Sequence, residues 1–110
     1  MKLRIDHQSI RLRLSKTDLE ILPAKGFVAE TLHLPQGSLT FKLLITNNLN
    51  VFSVFFFNET ITVEIPAHQA NNWMQTDEIG LYETLPLTHI GLSLKLLIEK
   101  DFPCKHNPLD

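Results

Sequence analysis

Thr60-Ile61-Thr62-Val63-Glu64-Ile65-Pro66 alternates apolar with polar residues and runs into a helical pattern whose apolar side carries Ala70, Trp73 and Met74. An alternation of period two places Ile61, Val63 and Ile65 on one face of a strand. The stretch has a counterpart in Ser9-Ile10-Arg11-Leu12-Arg13-Leu14-Ser15, which leads into a second helical pattern with Leu19 and Leu22 in the places of Ala70 and Trp73. Ile10 and Ile61, Leu12 and Val63, Leu14 and Ile65, Leu19 and Ala70, and Leu22 and Trp73 all stand 51 residues apart. Later in each half, Leu39, Phe41, Leu43 and Ile45 align with Leu92, Leu94, Leu96 and Ile98 at a spacing of 53. Each half reads strand, strand, helix, strand, strand. Two amphipathic halves of unrelated origin would also align in part, but the shared element order favours an internal repeat. The expectation is an α+β fold, mostly antiparallel β, as one domain over residues 1–100 built from repeats 2–46 and 51–100, with 101–110 as a tail.

The chain of 110 residues, 44% hydrophobic and 20% charged, has the length and composition of one self-sufficient core. One cysteine, Cys104, leaves no partner for an internal disulfide, and Met1-Lys2-Leu3-Arg4-Ile5-Asp6 carries charges where a signal peptide is apolar. A cytoplasmic protein without a membrane span is the expectation, since the longest apolar run, Val51 to Phe57, is far shorter than the ~20 residues a spanning helix needs. The net charge of −2 divides unevenly: residues 1–50 hold seven Lys and Arg against four Asp and Glu, while residues 51–110 hold three against eight. Such a split marks either a partner surface or two halves that pair with each other.

Local signals give the element boundaries. His7-Gln8 separates two alternating runs and predicts a hairpin; Ser15 with Asp18 resembles a helix-starting cap. Pro23 predicts a helix end near Leu22, because a proline ring inside a helix clashes with the carbonyl four residues back. Pro35-Gln36-Gly37 predicts a turn between strands at Phe27–Leu34 and Leu39–Thr46. Pro66 suits a first helical residue. Phe55-Phe56-Phe57 is apolar on both faces of its strand, so it is either covered on both sides or exposed as a segment prone to associate.

Val63-Glu64-Ile65-Pro66 and Ser9-Ile10-Arg11-Leu12-Arg13-Leu14, each leading into a short helix and a hairpin that ends Leu-x-Leu-x-Ile, resemble the swapped-hairpin domain of AbrB- and MazE-type proteins. The resemblance covers most of residues 2–100; Ser15 stands where that family's pattern has proline. It implies a small barrel of interleaved hairpins, here an intrachain pseudo-dimer. The opening and the Glu99-Lys100-Asp101-Phe102 ending also resemble a small uncharacterised bacterial family, which implies no activity.

Relatives of the swapped-hairpin kind commonly bind DNA through basic residues on the first hairpin. That implies DNA-binding candidates Lys2, Arg4, Arg11 and Arg13, with no cofactor. The second copy departs from this pattern. Glu64 replaces Arg13, and Thr62 and Thr60 stand for Arg11 and Ser9, so a symmetric basic surface is missing. A reading without DNA has Arg4 and Arg11 relieved by acids of the second half, such as Glu64 or Glu83. A third reading, also implied by the resemblance, is a protein-interaction module, antitoxin-like or self-associating; the short tail speaks against the antitoxin form. Enzymatic chemistry has the least support. Asp101, Cys104 and His106 lack zinc-site spacing, and His7, His33, His68 and His89 are scattered singly.

Overall fold

The computed structural model describes residues 1–47 and 50–101. In chain order it contains β1 (Lys2–Asp6), β2 (Ser9–Leu14), α1 (Lys16–Lys25), β3 (Phe27–Leu34), β4 (Gly37–Thr46), β5 (Ser53–Phe57), β6 (Thr60–Pro66), α2 (Ala67–Gln75), β7 (Gly80–Leu87) and β8 (Leu92–Lys100). A short 3₁₀ helix, Thr88–Ile90, joins the last two strands. With 59% of the described residues in strands and two helices, the chain is α+β and mostly β.

The strands form two four-stranded sheets, one in the order β1-β2-β8-β7 and one in the order β3-β4-β6-β5. The outer pairs are antiparallel hairpins and the central pairs, β2 with β8 and β4 with β6, are parallel. Each sheet therefore joins a hairpin from residues 2–46 to one from residues 51–100. A lone hairpin is marginal in water, so neither half completes a sheet by itself. The barrel expected from the family resemblance does not close among the described strands: β1 and β7 remain edges of one sheet, and β3 and β5 of the other. Charged Lys2, Arg4 and Asp6 on β1 and Pro86 on β7 are residue types that discourage further pairing at those edges.

The parallel ladders set the correspondence between halves. Arg13 pairs with Glu99 and Leu12 with Ile98 in the first sheet; Glu64 pairs with Leu44 and Val63 with Leu43 in the second. Positions on the first hairpins match at a spacing of 51, but those on β4 and β8 match at 55, not the 53 read from the sequence. Backbone bonds agree: Lys95 N–H to Gln8 O corresponds to Thr40 N–H to Glu59 O, and Lys100 N–H to Ile79 O corresponds to Ile45 N–H to Gly26 O. Two extra residues sit ahead of β7. Two more sit in the β7–β8 turn, where Leu87 pairs with Leu92 while Leu34 pairs with Gly37. A slip of two preserves which face each side chain occupies, so periodicity alone does not distinguish 53 from 55.

One hydrophobic cluster takes residues from both halves, including Leu12, Leu14, Leu22 and Leu43 with Val63, Ile65, Trp73, Leu96 and Ile98. Leu22 of α1 and Ala70 and Trp73 of α2 are fully buried. The Trp73 indole N–H donates to the Ile79 carbonyl at 3.0 Å, which satisfies its one polar atom inside the core. At the start of α1, Ser15 Oγ accepts from the Asp18 N–H and Asp18 accepts from the Ser15 N–H, a reciprocal cap. The helix does not stop near Leu22 as predicted but continues through Pro23 to Lys25. Pro23 forfeits one bond to the Leu19 carbonyl, and left-handed Gly26 (φ 84°) closes the end by donating to Leu22 O at 2.8 Å. Pro66 is the residue before α2 and still belongs to β6, one place earlier than expected.

Candidate functional site

Alternation decides which side chains leave the core. In the first sheet, Leu3, Leu12, Ile98 and Leu81 form one register row and point inward, so the flanking rows point outward. One outward row is Lys2, Arg13, Glu99 and Gly80; the next is Arg4, Arg11, Leu97 and Tyr82; a third is Asp6, Ser9, Lys95 and Thr84. All four residues predicted from the sequence, Lys2, Arg4, Arg11 and Arg13, thus share one face. They line a shallow concavity of about 420 Å³. A fifth cation, Lys95, joins Arg4 and Arg11 around an adjoining hollow of about 280 Å³. Lys95 escaped the sequence reading because it belongs to the other half, and only the β2–β8 pairing puts it beside Ser9.

Glu99 organises this face. Its carboxylate lies 3.3 Å from Arg13 Nε and 3.4 Å from Arg11 Nε, and accepts the Tyr82 hydroxyl proton at 3.1 Å. The contact to Arg13 is a hydrogen bond; Arg11 Nε is within ion-pair range but misaligned, and that buried N–H makes no hydrogen bond among the described residues. Burial and the bond to Glu99 hold the Tyr82 hydroxyl above its ordinary pKa. Gly80 makes room for this arrangement. A Cβ would stand 2.6 Å from Tyr82 Oη and 3.0 Å from Glu99 Cγ, so the tyrosine ring lies across the bare glycine. At one end of the face Lys2 Nζ meets Asp101 at 2.9 Å, and Arg13 reaches the same carboxylate at 3.7 Å. Bonding to Lys2 draws the Asp101 pKa down. The acids that relieve the arginines are therefore Glu99 and Asp101. Glu64 lies in the other sheet, and Glu83 pairs with Leu96 on the opposite side of its own sheet.

Five cations and three acids, Asp6, Glu99 and Asp101, occupy this face. Among the described residues neither Arg4 nor Lys95 has a carboxylate partner, which leaves their charges open to solvent. The second sheet presents a different outward face. Phe55 and Phe57 stand where the first has Arg4 and Asp6, and Lys42 lies over the Phe27 ring at 4.6 Å to its centroid. Phe55, Phe56 and Phe57 are 47%, 69% and 70% exposed on edge strand β5.

No described group of three or more His, Cys, Asp or Glu residues is arranged to hold a metal ion. Cys104 and His106 lie outside the described residues, and no described helix is long and apolar enough to cross a membrane. Comparison with curated proteins and with solved structures finds no match. A family profile does match, over residues 1–110: the chain belongs to a family of unknown function, DUF7009.

Proposed function

We propose that the chain is a non-enzymatic binding module, two swapped-hairpin repeats of AbrB/MazE-like kind fused in one polypeptide, whose basic face takes the phosphates of duplex DNA. The observation that carries the reading is the convergence of Lys2, Arg4, Arg11, Arg13 and Lys95 on the outer face of one sheet. The fusion is supported by each sheet drawing one hairpin from each half and by the matched backbone bonds at Gln8 and Glu59. The arginine–Glu99 pairs do not forbid phosphate contact. Arginines exposed by a third to a half have weak ion pairs, ~0.2–1 kcal/mol each, that phosphate oxygens displace. A salt titration of duplex binding tests the reading. Log affinity is expected to fall with log salt at ~0.9 per phosphate contact, and Arg4→Ala or Lys95→Ala is expected to lower the slope by about one contact. Absence of binding at low salt, or a slope unmoved by both variants, overturns it.

A second reading, self-association, is favoured by β5. Its residues Ser53-Val54-Phe55-Phe56-Phe57 carry no charge and no proline, so this edge lacks the guards of β1 and β7. An antiparallel pairing with a second copy centred on Phe55 is self-complementary: Phe55 meets its twin, and Val54 meets Phe56. The phenylalanines of two copies would bury on the order of 700 Å², most of the roughly 1,000 Å² that a stable interface needs. Mass by light scattering is expected to rise towards two chains with concentration and to stay at one chain in Phe56→Lys. A single-chain mass at every concentration removes this reading.

A further inference from the structure

The halves also differ where the first turn of each helix faces the sheets. In the first half the Met1 ammonium is buried between Asp18 Oδ2 at 2.8 Å and Glu30 Oε2 at 3.2 Å. The spacings set by the ladders carry Met1, Asp18 and Glu30 onto Phe52, Gln69 and Glu83. These three line a concavity of about 460 Å³ together with His68, Asn72 and Glu78. The chain runs on through Phe52, so an uncharged peptide N–H stands where the first half has an ammonium. Gln69 Oε1 is buried and accepts no hydrogen bond among the described residues. An orphaned buried acceptor costs ~1–3 kcal/mol, which a donor in the cavity would recover once the Gln69 side chain turns Oε1 towards it.

We propose that this cavity is a binding site for a primary alkylammonium group, held by Gln69 Oε1 and the Glu83 carboxylate as Asp18 and Glu30 hold the Met1 ammonium. The exchange of Asp for Gln suits a reversible guest. An ammonium tethered to the chain always neutralises Asp18, whereas a buried carboxylate at position 69 would stand unpaired whenever the guest left. A carboxamide oxygen tolerates vacancy, and exposed Glu83 supplies the charge. Glu78, which accepts from Asn72 Nδ2 at 3.2 Å, adds a second acid at the rim, while His68 is the group there that would oppose a cation if protonated. The volume is within the range of small-molecule sites and admits an unbranched chain alongside Phe52.

The test is an NMR titration of the full chain at about pH 8, where an ordinary His is neutral, following the Gln69 side-chain amide. The probes are n-butylammonium, spermidine and a blocked tripeptide with a central lysine. Saturable shifts are expected with an ammonium probe and not with n-butanol or tetramethylammonium. Whether the free amines or the peptide bind more tightly identifies the guest as a metabolite or a protein side chain. Glu83→Gln, at an exposed position, is expected to weaken binding about tenfold, and Gln69→Asp to tighten it by a similar factor, since charge-assisted hydrogen bonds are about twice as strong as neutral ones. Equal response to butanol, indifference to Glu83→Gln, or binding by Gln69→Asp alone overturns the assignment.

Discussion

The two sheets carry outer faces laid on one grid and filled with opposite chemistry. The row Lys2, Arg13, Glu99 and Gly80 corresponds to Ser53, Glu64, Leu44 and Phe27; the row Arg4, Arg11, Leu97 and Tyr82 corresponds to Phe55, Thr62, Lys42 and Ala29. In the first sheet a carboxylate at the centre gathers two arginines and a tyrosine. In the second, Leu44 holds the central place, and Glu64 turns to the Ser53 hydroxyl. Inward rows are apolar along the central strands in both, with Glu83 and Glu30 at matching places on the edge strands β7 and β3. The backbone frame thus fixes which positions leave the core, while their chemistry differs, a charged surface on one sheet and an aromatic edge on the other.

Placing the second sheet's residue in the first breaks the comparison most severely. Glu99→Leu leaves Arg11, Arg13, Lys2 and Arg4 adjacent with only Asp101 and Asp6 near. Removing one partner of a buried pair costs ~3–5 kcal/mol; with both arginines partly exposed, about 2 kcal/mol is expected, read as a lower urea midpoint at unchanged slope. The same change is expected to strengthen duplex binding at low salt if the face takes phosphates, so stability and affinity move in opposite directions. Leu44→Glu in the second sheet sets a carboxylate beside Glu64 and is expected to destabilise with no gain in binding.

The helix starts give the next effect. Asp18→Asn weakens the cap and removes the ion pair with Met1, for an expected loss of about 1–2 kcal/mol, while Gln69→Ala sets relief of the orphaned acceptor against lost packing and is expected to be near neutral. The pH dependence has a definite sign. Burial opposes the Asp18 charge, but the Met1 amine and the Ser15 N–H outweigh it, so its pKa lies below the ordinary 3.8. A lowered carboxylate stabilises the fold above its unfolded pKa and loses that contribution as pH falls through the folded value. The Met1 amine, disfavoured by burial but raised above 8.0 by Asp18 and Glu30, contributes below pH 8 and fades as pH rises through its folded value. Chemical denaturation across pH is expected to show both limbs in the native chain and neither contribution from this pair in Asp18→Asn.

Much of this frame was legible in the residues. Strands β2 and β6, the Ser15–Asp18 cap, the burial of Trp73 and the outward side of Arg11 and Arg13 follow from alternation and local hydrogen-bond chemistry. Four features were not. The partners Glu99 and Lys95 lie more than eighty residues from the arginines and serine beside them, and no local pattern announces a parallel pairing. The extra residues near β7 and in the β7–β8 turn preserve strand parity and so leave no mark on periodicity. Pro23 read as a stop because propensity penalises it, yet the Gly26 cap and burial of Leu22 carry α1 past it. The ammonium cavity required knowing that Gln69 matches Asp18 in space as well as in spacing.

The hairpin turns sharpen the comparison at the smallest scale. His7 is left-handed in the first turn (φ 55°), whereas both Asn58 and Glu59 are in the second (φ 54° and 59°). Asparagine visits that region readily; glutamate does so at ~1–2 kcal/mol. Glu59 is kept there because its carbonyl accepts from the Thr40 N–H at 2.9 Å and so stitches β4 to the hairpin, as the Gln8 carbonyl does for Lys95 at 2.8 Å. Glycine preserves that carbonyl and relieves the left-handed strain, at the cost of ~0.4–1 kcal/mol from a more flexible unfolded chain. Glu59→Gly is therefore expected to stabilise by about 0.5 kcal/mol. Gln8 has no left-handed φ to relieve, and Gln8→Gly also loses the long bond from its Nε2 to the Ser93 carbonyl at 3.4 Å, so it carries the entropic cost with nothing to offset it and is expected to destabilise by at least a similar amount. Opposite shifts in urea midpoint for two glycines placed at matching carbonyls would show that the turns share a bonding role while differing in strain; shifts of the same sign would show that the left-handed turn at Glu59 stores no energy that glycine can release.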